Sequence, residues 1–219
     1  MRMRMLSITA ALASFCLFAG CVCESRPTDP AIPSSGFSDD FERTALGDAW
    51  NNTGSNATGT WRIENGALTV RDAHNHPLWL ARTLPRDVRI EYEVRSMSPE
   101  GDIKCEVFGD GRSAAIEASY TATSYVVIFG GWGNQLDVLA RLDEHGADRI
   151  ERPSRRVIPG QNYRMRVERR GQVITAWVDD QELVTMTDSE PLEGSGHDHF
   201  AFNDWESELV IDNVRITPL

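Results

Sequence analysis

Apolar and polar residues alternate along several stretches of the chain. The alternation is clearest in residues 89–95, 102–107 and 163–168. A period of two is typical of strands that bury one face and expose the other to water. Residues 125–129 form a continuous apolar run that predicts an inner strand, and residues 208–216 predict a strand that ends the chain. Turn residues separate these stretches, and the one candidate helix is short, near residues 113–118.

These signals predict an all-β domain made of many short strands. About 180 residues would supply roughly twelve to fourteen strands of ordinary length. That number is too large for an immunoglobulin sandwich, and no internal repeat indicates a propeller. The pattern therefore predicts a two-sheet antiparallel β-sandwich of the jelly-roll type.

Residues 1–20 have the features of an export signal. Two arginines precede an apolar stretch, residues 6–18, that is too short to span a bilayer. The run Phe18-Ala19-Gly20-Cys21 resembles the lipobox of bacterial lipoproteins, which implies cleavage before Cys21 and a lipid on its thiol. Some lipoprotein sorting signals have Asp directly after the lipidated cysteine. This chain has Val22 at that position, which favours sorting to the outer membrane. An ordinary secretory peptide with a coincidental cysteine is the alternative.

We therefore expect three segments. The signal peptide covers residues 1–20, the lipidated Cys21 begins a proline- and serine-rich tether at residues 21–36, and the domain covers residues 37–219. This organisation predicts a lipid-anchored protein of the cell envelope that contacts the membrane only through its lipid.

Composition narrows the possible partners. The chain has 22 Lys+Arg against 33 Asp+Glu and a net charge of −11, which argues against a nucleic-acid partner. Hydrophobic residues make up 41% of the chain, as in soluble globular proteins. Lys104 is the sole lysine.

A disulfide between Cys23 and Cys105 is permitted in an oxidising periplasm, but the strand pattern favours a buried, unpaired Cys105.

A resemblance to a known fold extends over nearly all of residues 37–219. The segments that carry it are residues 37–50, 61–68, 78–80, 178–183 and 210–216, in that order. They resemble the concanavalin A-like lectin/glucanase superfamily, in particular its bacterial laminin-G-like branch and the neighbouring 3-keto-disaccharide hydrolase domains. The resemblance implies a jelly roll. It leaves the activity open, because this fold hosts lectins, hydrolases, lyases and passive modules.

The glucanases of this superfamily carry Glu-x-Asp-x-x-Glu on one strand, with one carboxylate as nucleophile and one as acid/base. The nearest match here runs from Gln135 through Asp137 to Ala140. Gln cannot form the covalent intermediate and Ala cannot donate a proton. The sequence therefore argues against a retaining glucanase.

Two sets of residues are candidate metal ligands. Asp212 shares the parity of Val210, Val214 and Ile216, so its carboxylate is expected to face an apolar surface and to need a partner. In this superfamily the first and last strands are adjacent and a structural calcium often lies nearby, which suggests a calcium site of Asp39 or Asp40 with Asp212. The alternative is a hydrogen-bonded buried carboxylate without a metal.

Two His-x-His pairs form the second set. On a strand such side chains share a face roughly 7 Å apart, so each pair suits one ion. If the pairs met in space, zinc would be plausible, and isolated imidazoles in turns are the alternative. The pairs are His74 with His76 and His197 with His199.

Candidate acid/base groups lie in a predicted hairpin turn at residues 143–148. Glu144 and His145 are adjacent there, and His199 is a third candidate. A solvated polar turn is the alternative for the first two.

Aromatic side chains are candidates for carbohydrate binding. Residues 130–134 form a glycine-rich loop that presents Trp132. Because an exposed indole is unfavourable in water, Trp132 either packs inward or forms part of a ligand-binding surface. Sugar rings stack on indoles, while amides and guanidinium groups bind their hydroxyls. The proposed platform comprises Trp132, Asn134, Arg141, Asn203 and Trp205. The remaining strand tryptophans, Trp61, Trp79 and Trp177, are expected in the core.

Three functions are compatible with these features. The leading expectation is a lipid-anchored module that binds a carbohydrate or polysaccharide without chemistry. The second is a glycoside-acting enzyme that resembles the 3-keto-disaccharide hydrolases and uses Glu144, His145 or His199. The third is a non-catalytic envelope scaffold.

Overall fold

The structure, a computed structural model, describes residues 29–54, 61–116 and 120–219. Fifteen strands and one short turn of helix lie in these residues. They are β1 (Phe37–Asp39), β2 (Trp50–Asn52), β3 (Arg62–Glu64), β4 (Ala67–Arg71), β5 (Leu78–Leu80), β6 (Val88–Ser96), β7 (Ile103–Gly109), β8 (Tyr125–Gly130), α1 (Gly131–Asn134), β9 (Leu136–Arg141), β10 (Ile150–Pro153), β11 (Tyr163–Arg170), β12 (Val173–Val178), β13 (Gln181–Thr187), β14 (His199–Asn203) and β15 (Glu208–Pro218).

The strands form two antiparallel sheets. One has the order β13-β12-β11-β6-β15-β4-β3, with β1 also paired to β15. The other has the order β10-β9-β8-β7-β14-β5-β2. The predicted all-β, two-sheet jelly roll is confirmed.

Alternate side chains from the two sheets meet in one core, as the period of two predicts. Aromatic rings pack in this core: Tyr92 on β6 lies 5.0 Å from Phe202 on β14 and joins the two sheets, whereas Trp50 on β2 lies 5.5 Å from Phe202 within one sheet. Cys105 is buried and unpaired among the described residues, whereas Cys23 lies outside them.

The folded unit begins before residue 37, contrary to the expectation of a tether up to residue 36. Ile32 is buried in the core, and its backbone N–H donates to the carbonyl of Thr83 at 3.0 Å. Ala31 forms a parallel bridge with Thr83. A free tether would leave Ile32 in water, so burial of this one apolar side chain favours docking. The signal peptide and Cys21 lie outside the described residues.

Two further expectations, on the short helix and on the strand tryptophans, are wrong in part. Residues 113–116 are not helical, and the other two residues of the candidate helix, 117 and 118, lie outside the described residues. Trp61 and Trp79 are buried, but Trp177 faces outward and lies under the guanidinium of Arg166 at 4.3 Å. In the part of the chain that the structure describes, no helix is long and apolar enough to cross a membrane.

Candidate functional site

A cleft of about 450 Å³ lies on the outer face of the seven-stranded sheet, above β7 and β8. Lys104 and Ile128 are opposite each other in this strand pair and line the base of the cleft. Their neighbours Cys105 and Val127 face the core, as alternation requires. Loops and turns complete the lining through Asn75, Asp102, Tyr120, Trp132, Glu144, His145 and Trp205.

A turn of left-handed backbone presents Trp132 to the cleft. The φ angles of Trp132, Gly133 and Asn134 are +51°, +65° and +65°, and the N–H of Gln135 donates to the carbonyl of Gly131 at 2.8 Å. For a bulky residue this conformation costs on the order of 1–3 kcal/mol and persists only where the surrounding structure enforces it. Such strain is concentrated at functional sites.

Asn134 fixes this turn from within the protein. Its Oδ1 accepts a hydrogen bond from the N–H of Val157 at 2.7 Å, and its Nδ2 donates to the carbonyls of Val157 at 2.7 Å and Pro99 at 3.2 Å. Asn134 is therefore buried and fully engaged, and it is not available to a ligand as the sequence suggested. Its role is to position Trp132.

Two side chains pack on the half-buried indole of Trp132. The guanidinium of Arg149 lies 4.5 Å from the ring centroid, and the imidazole of His145 meets the ring at 5.6 Å in an edge arrangement. Arg149 is itself paired with Glu151 at 2.6 Å. The rest of the indole lines the cleft.

Trp205 lines the same cleft and remains 38% exposed. Its backbone N–H donates to Oδ2 of Asp102 at 2.8 Å, and its ring lies 4.8 Å from that of His74. The carboxylate of Asp204 accepts hydrogen bonds from the N–H of Ser207 at 3.0 Å and fixes the same loop. The structure thus brings Trp132 and Trp205 to one place.

Lys104 is the central charge at the base of the cleft, and its side chain is only 2% exposed. Its Nζ lies 3.0 Å from Oε2 of Glu144 and 4.0 Å from Oδ2 of Asp102, and it donates to Oδ1 of Asn75 at 3.1 Å. Burial lowers the pKa of Lys104, but the charges of Asp102 and Glu144 outweigh burial and hold the pKa above its ordinary value. The two carboxylates therefore favour the charged ammonium form of Lys104.

The carboxyl groups around Lys104 are shielded from water. Burial raises the pKa of Asp102 against the opposing charge of Lys104. Burial also raises the pKa of Asp204, and the charge of Asp102 adds to this effect.

A second polar layer supports the base of the cleft. The carboxylate of Glu106 accepts hydrogen bonds from Tyr120 at 2.8 Å, Ser124 at 2.5 Å and Asn203 at 2.8 Å. Burial raises the pKa of Glu106 to about 7 despite these donors. Asn203 also donates to Oδ1 of Asn75 at 3.1 Å, which links Glu106 to the partners of Lys104. Asn203, expected to contact a ligand, is fully buried in this network.

Two other candidate residues lie outside the cleft. Arg141 pairs with Asp188 at 2.9 Å and does not line it. His199 lies at the other end of β14, with Nε2 at 3.1 Å from Asp29 and Nδ1 at 2.7 Å from Asp198. Glu144 and His145 do line the cleft, so the predicted hairpin turn is not simply solvated.

The structure does not gather the expected calcium ligands. Asp39 is held by Arg43 at 2.5 Å and by the indole N–H of Trp50 at 2.8 Å. Burial raises the pKa of Asp39, but these hydrogen bonds outweigh burial and hold it below its ordinary value. This is the hydrogen-bonded alternative to a metal ligand.

Asp212 faces outward because a β-bulge between Asp212 and Arg215 interrupts the alternation of β15. Ile211 and Val214 face the core on either side of it. Asp40 likewise joins no metal-binding cluster: no group of three His, Cys, Asp or Glu side chains within the described ranges could hold an ion.

The two histidine pairs do not form a zinc site, because the described residues contain no cluster of side chains that could hold a metal ion. The side chains have other partners: His74 packs on Trp205, Nδ1 of His76 lies 2.9 Å from the carbonyl of Ala73, and Nδ1 of His197 lies 2.7 Å from the carbonyl of Thr123.

Sequence reasoning missed Asp102, Lys104, Asn75 and Tyr120. The alternation placed Asp102 and Lys104 on a strand face in water, whereas loops cover that face. A lone lysine among carboxylates was the available signal, but the partners of Lys104 come from distant loops.

The fold and the matching family place the chain in a class, the β-sandwiches of carbohydrate-binding or glycoside-hydrolase-like proteins. Within this class, the chain belongs to the family of the 3-keto-alpha-glucoside-1,2-lyase-like domain, whose family model matches residues 36–217. The resemblance to 3-keto-disaccharide hydrolase domains is confirmed.

The chain is also similar to individual proteins. An extracellular exo-alpha-L-arabinofuranosidase of Streptomyces chartreusis is 25% identical over 158 residues, which are 71% of this chain and 18% of that protein. The chain therefore spans less than a fifth of that relative. The carbohydrate-binding module CBM66 of Bacillus subtilis has a TM-score of 0.58 at 16% identity, covering 80% of this chain and 97% of the module. A β-glucanase of Bacillus licheniformis has a TM-score of 0.59 at 11% identity, covering 84% and 98%. These two likenesses concern the fold.

Proposed function

We propose that the domain binds a carbohydrate in the cleft that Trp132 and Trp205 line. The observation that carries this proposal is the strained left-handed turn that holds a half-buried indole beside a polar base. Indoles supply apolar surface for the C–H faces of sugar rings, and the oxygens of Asp102 and Glu144 can accept hydrogen bonds from hydroxyls. The carbohydrate-binding module among the structural neighbours is consistent with this role.

A glycan array probed with the purified protein, followed by calorimetry on the best ligands, tests the proposal. Trp132→Ala and Trp205→Ala should each weaken binding about tenfold or more, because each removes one stacking surface. Trp177→Ala is the matched control, since this indole lies on the outer face of the other sheet. Unchanged affinity in the Trp132→Ala/Trp205→Ala double variant would remove the cleft as the binding site.

A second candidate function uses the same cleft. The family description names a 1,2-lyase of 3-keto-alpha-glucosides. In such a sugar the C2 hydrogen lies beside the C3 carbonyl, so a base can remove it. The electron pair then forms a C1=C2 bond while the C1–O bond breaks, and the departing oxygen takes up a proton.

The observation that favours this candidate is the proximity of Glu144, His145 and Lys104. A shielded carboxylate and an exposed imidazole supply groups for the two proton transfers, and the fixed cation would stabilise negative charge on the carbonyl oxygen. His199 has no part in this, because it lies outside the cleft.

Incubation with a 3-keto-alpha-glucoside tests the enzymatic candidate. The conjugated enone product is followed by ultraviolet absorbance, and exchange at C2 by NMR in heavy water. Glu144→Gln and His145→Asn should each abolish or strongly slow turnover, while Glu190→Gln, an exposed carboxylate elsewhere, should not. Absence of both enone and exchange would leave binding without chemistry.

We further propose that a lipid on Cys21 holds the protein at the cell envelope, in the outer membrane. The support for the lipid is the Phe18-Ala19-Gly20-Cys21 run, and the support for the outer membrane is Val22 at the next position. Labelling with an alkyne-bearing fatty acid should modify the natural chain and not Cys21→Ser, and the variant should leave the membrane fraction. Labelling that persists in Cys21→Ser would contradict the proposal.

A further inference from the structure

The base of the cleft carries more negative than positive charge. Two carboxylates line it, those of Asp102 and Glu144, against the single ammonium of Lys104. The other nearby cation, Arg149, is occupied by Glu151 and by the ring of Trp132, and it does not line the cleft. Among the described residues that line the cleft, the one fixed cation is therefore already paired with two carboxylates.

The existing contacts of Lys104 leave one hydrogen-bond donor unused. An ammonium has three N–H groups. One donates to Asn75 at 3.1 Å and one is directed to Glu144 at 3.0 Å, whereas Asp102 at 4.0 Å is beyond hydrogen-bond distance. No further acceptor among the described residues lies within reach of the third N–H, and the side chain is only 2% exposed. This donor can be satisfied by an oxygen of a bound sugar.

The carboxylates of Asp102 and Glu144 can accept hydrogen bonds from a ligand, just as Lys104 can donate one. Oδ2 of Asp102 accepts from the N–H of Trp205 at 2.8 Å, and Oε1 of Glu144 lies 3.7 Å from the imidazole of His145. Each carboxylate can accept several hydrogen bonds, so Asp102 and Glu144 retain lone pairs for hydroxyl donors. A neutral sugar unit offers an acceptor oxygen for Lys104 and neighbouring hydroxyl donors for the two carboxylates.

We infer, resting on the proposed function, that the cleft selects uncharged sugar units and rejects anionic ones such as uronates, with Lys104 as the donor that positions a ligand oxygen. A ligand carboxylate in the cleft would lose its hydration and lie close to Asp102 and Glu144. Because both carboxylates are shielded from solvent, the repulsion is only weakly screened. The excess negative charge thus acts against anionic ligands even where their shape fits.

Matched oligosaccharides that differ only at C6 test this inference. Three series are used, built on glucose, galactose and mannose, each as the neutral sugar, the uronate and the uronate methyl ester. The ester restores neutrality while keeping the carbonyl. In every series that binds, the neutral sugar and the ester should bind at least about tenfold more tightly than the free acid. A free acid that binds as tightly as its ester would overturn the inference.

Charge variants locate the effect. Glu144→Gln should reduce the difference in binding affinity between the free acid and its methyl ester. Glu190→Gln makes the same change of net charge on an exposed surface and should leave this difference in affinity unchanged. Asp102→Asn serves the same purpose if Glu144→Gln does not fold. A difference in affinity that stays unchanged in folded Glu144→Gln and Asp102→Asn would place the discrimination elsewhere.

These results separate the two proposals. No binding in any series, together with no ligand on the glycan array, would contradict carbohydrate binding itself, and the inference with it. Equal binding of all three members of a series would leave carbohydrate binding standing and overturn only the charge selection.

Discussion

The ammonium of Lys104 lies 3.0 Å from the carboxylate of Glu144, with the two side chains 2% and 15% exposed. Lys104 comes from strand β7 and Glu144 from the turn after β9, so the pair joins the base of the cleft to the turn that covers it. Removal of one partner from such a pair leaves an unpaired buried charge, which costs far more than the pair contributes.

Lys104→Met should therefore lower the free energy of unfolding by roughly 3–5 kcal/mol, because Glu144 and Asp102 lose their shared cation. Urea denaturation at neutral pH measures the change. The double variant Lys104→Met/Glu144→Gln should be less destabilised than the sum of the single variants. Simple additivity would show that the two side chains do not interact.

The stability of the protein should fall as the pH rises from about 4.5 to about 7, through the titration of Glu106. Burial raises the pKa of Glu106 to about 7 in the folded protein, against an ordinary value of 4.5. The folded state thus holds this proton more tightly than the unfolded state, so the stabilisation is complete below the unfolded pKa and is lost as the pH passes the folded pKa. The expected loss is about 3 kcal/mol.

Denaturation at pH 5 and pH 8 checks the titration of Glu106. Glu106→Gln keeps the size of the side chain but cannot ionise, so its stability should change less between the two pH values than that of the natural protein. Asp102 and Asp204 titrate in both proteins and cancel in the comparison. Identical pH profiles would show that Glu106 is not the titrating group.

Ile32→Ala should destabilise the protein by about 2–4 kcal/mol, because Ile32 is buried although it lies in a segment that looks like a linker. Ile158→Ala is the matched control: this side chain is 57% exposed, so its loss should change stability by less than about 0.5 kcal/mol. Equal effects of the two substitutions would mean that residues 29–36 do not dock on the domain.

Asn134→Ala should loosen the turn that presents Trp132. The variant loses hydrogen bonds to Val157 and Pro99 and leaves the buried N–H of Val157 without its acceptor, at a cost of about 2–3 kcal/mol. Amide exchange should accelerate in residues 130–135 and around Val157, and carbohydrate affinity should fall together with it. Asn162→Ala, an exposed amide, is the control. Unchanged exchange would show that Asn134 does not hold the turn.

Sequence alternation predicted the inner faces of the strands, since a buried face requires an apolar residue at every second position. Tyr92 and Cys105 are buried as this pattern requires. The same reasoning failed at Asp212, because the β-bulge adds a residue to one strand and shifts the parity that follows. A bulge of this kind leaves no clear mark in a single sequence.

The candidate site depended on contacts that local sequence does not encode. Trp132 and Trp205 were recognisable as tryptophans in loops, but only the order of the strands places those loops around one cleft. Lys104 and Glu106 alternate with core residues and so read as solvent-exposed. Alternation determines which face of a strand points out of the core, and only the tertiary structure determines that loops then fold over that outward face and bury its charges.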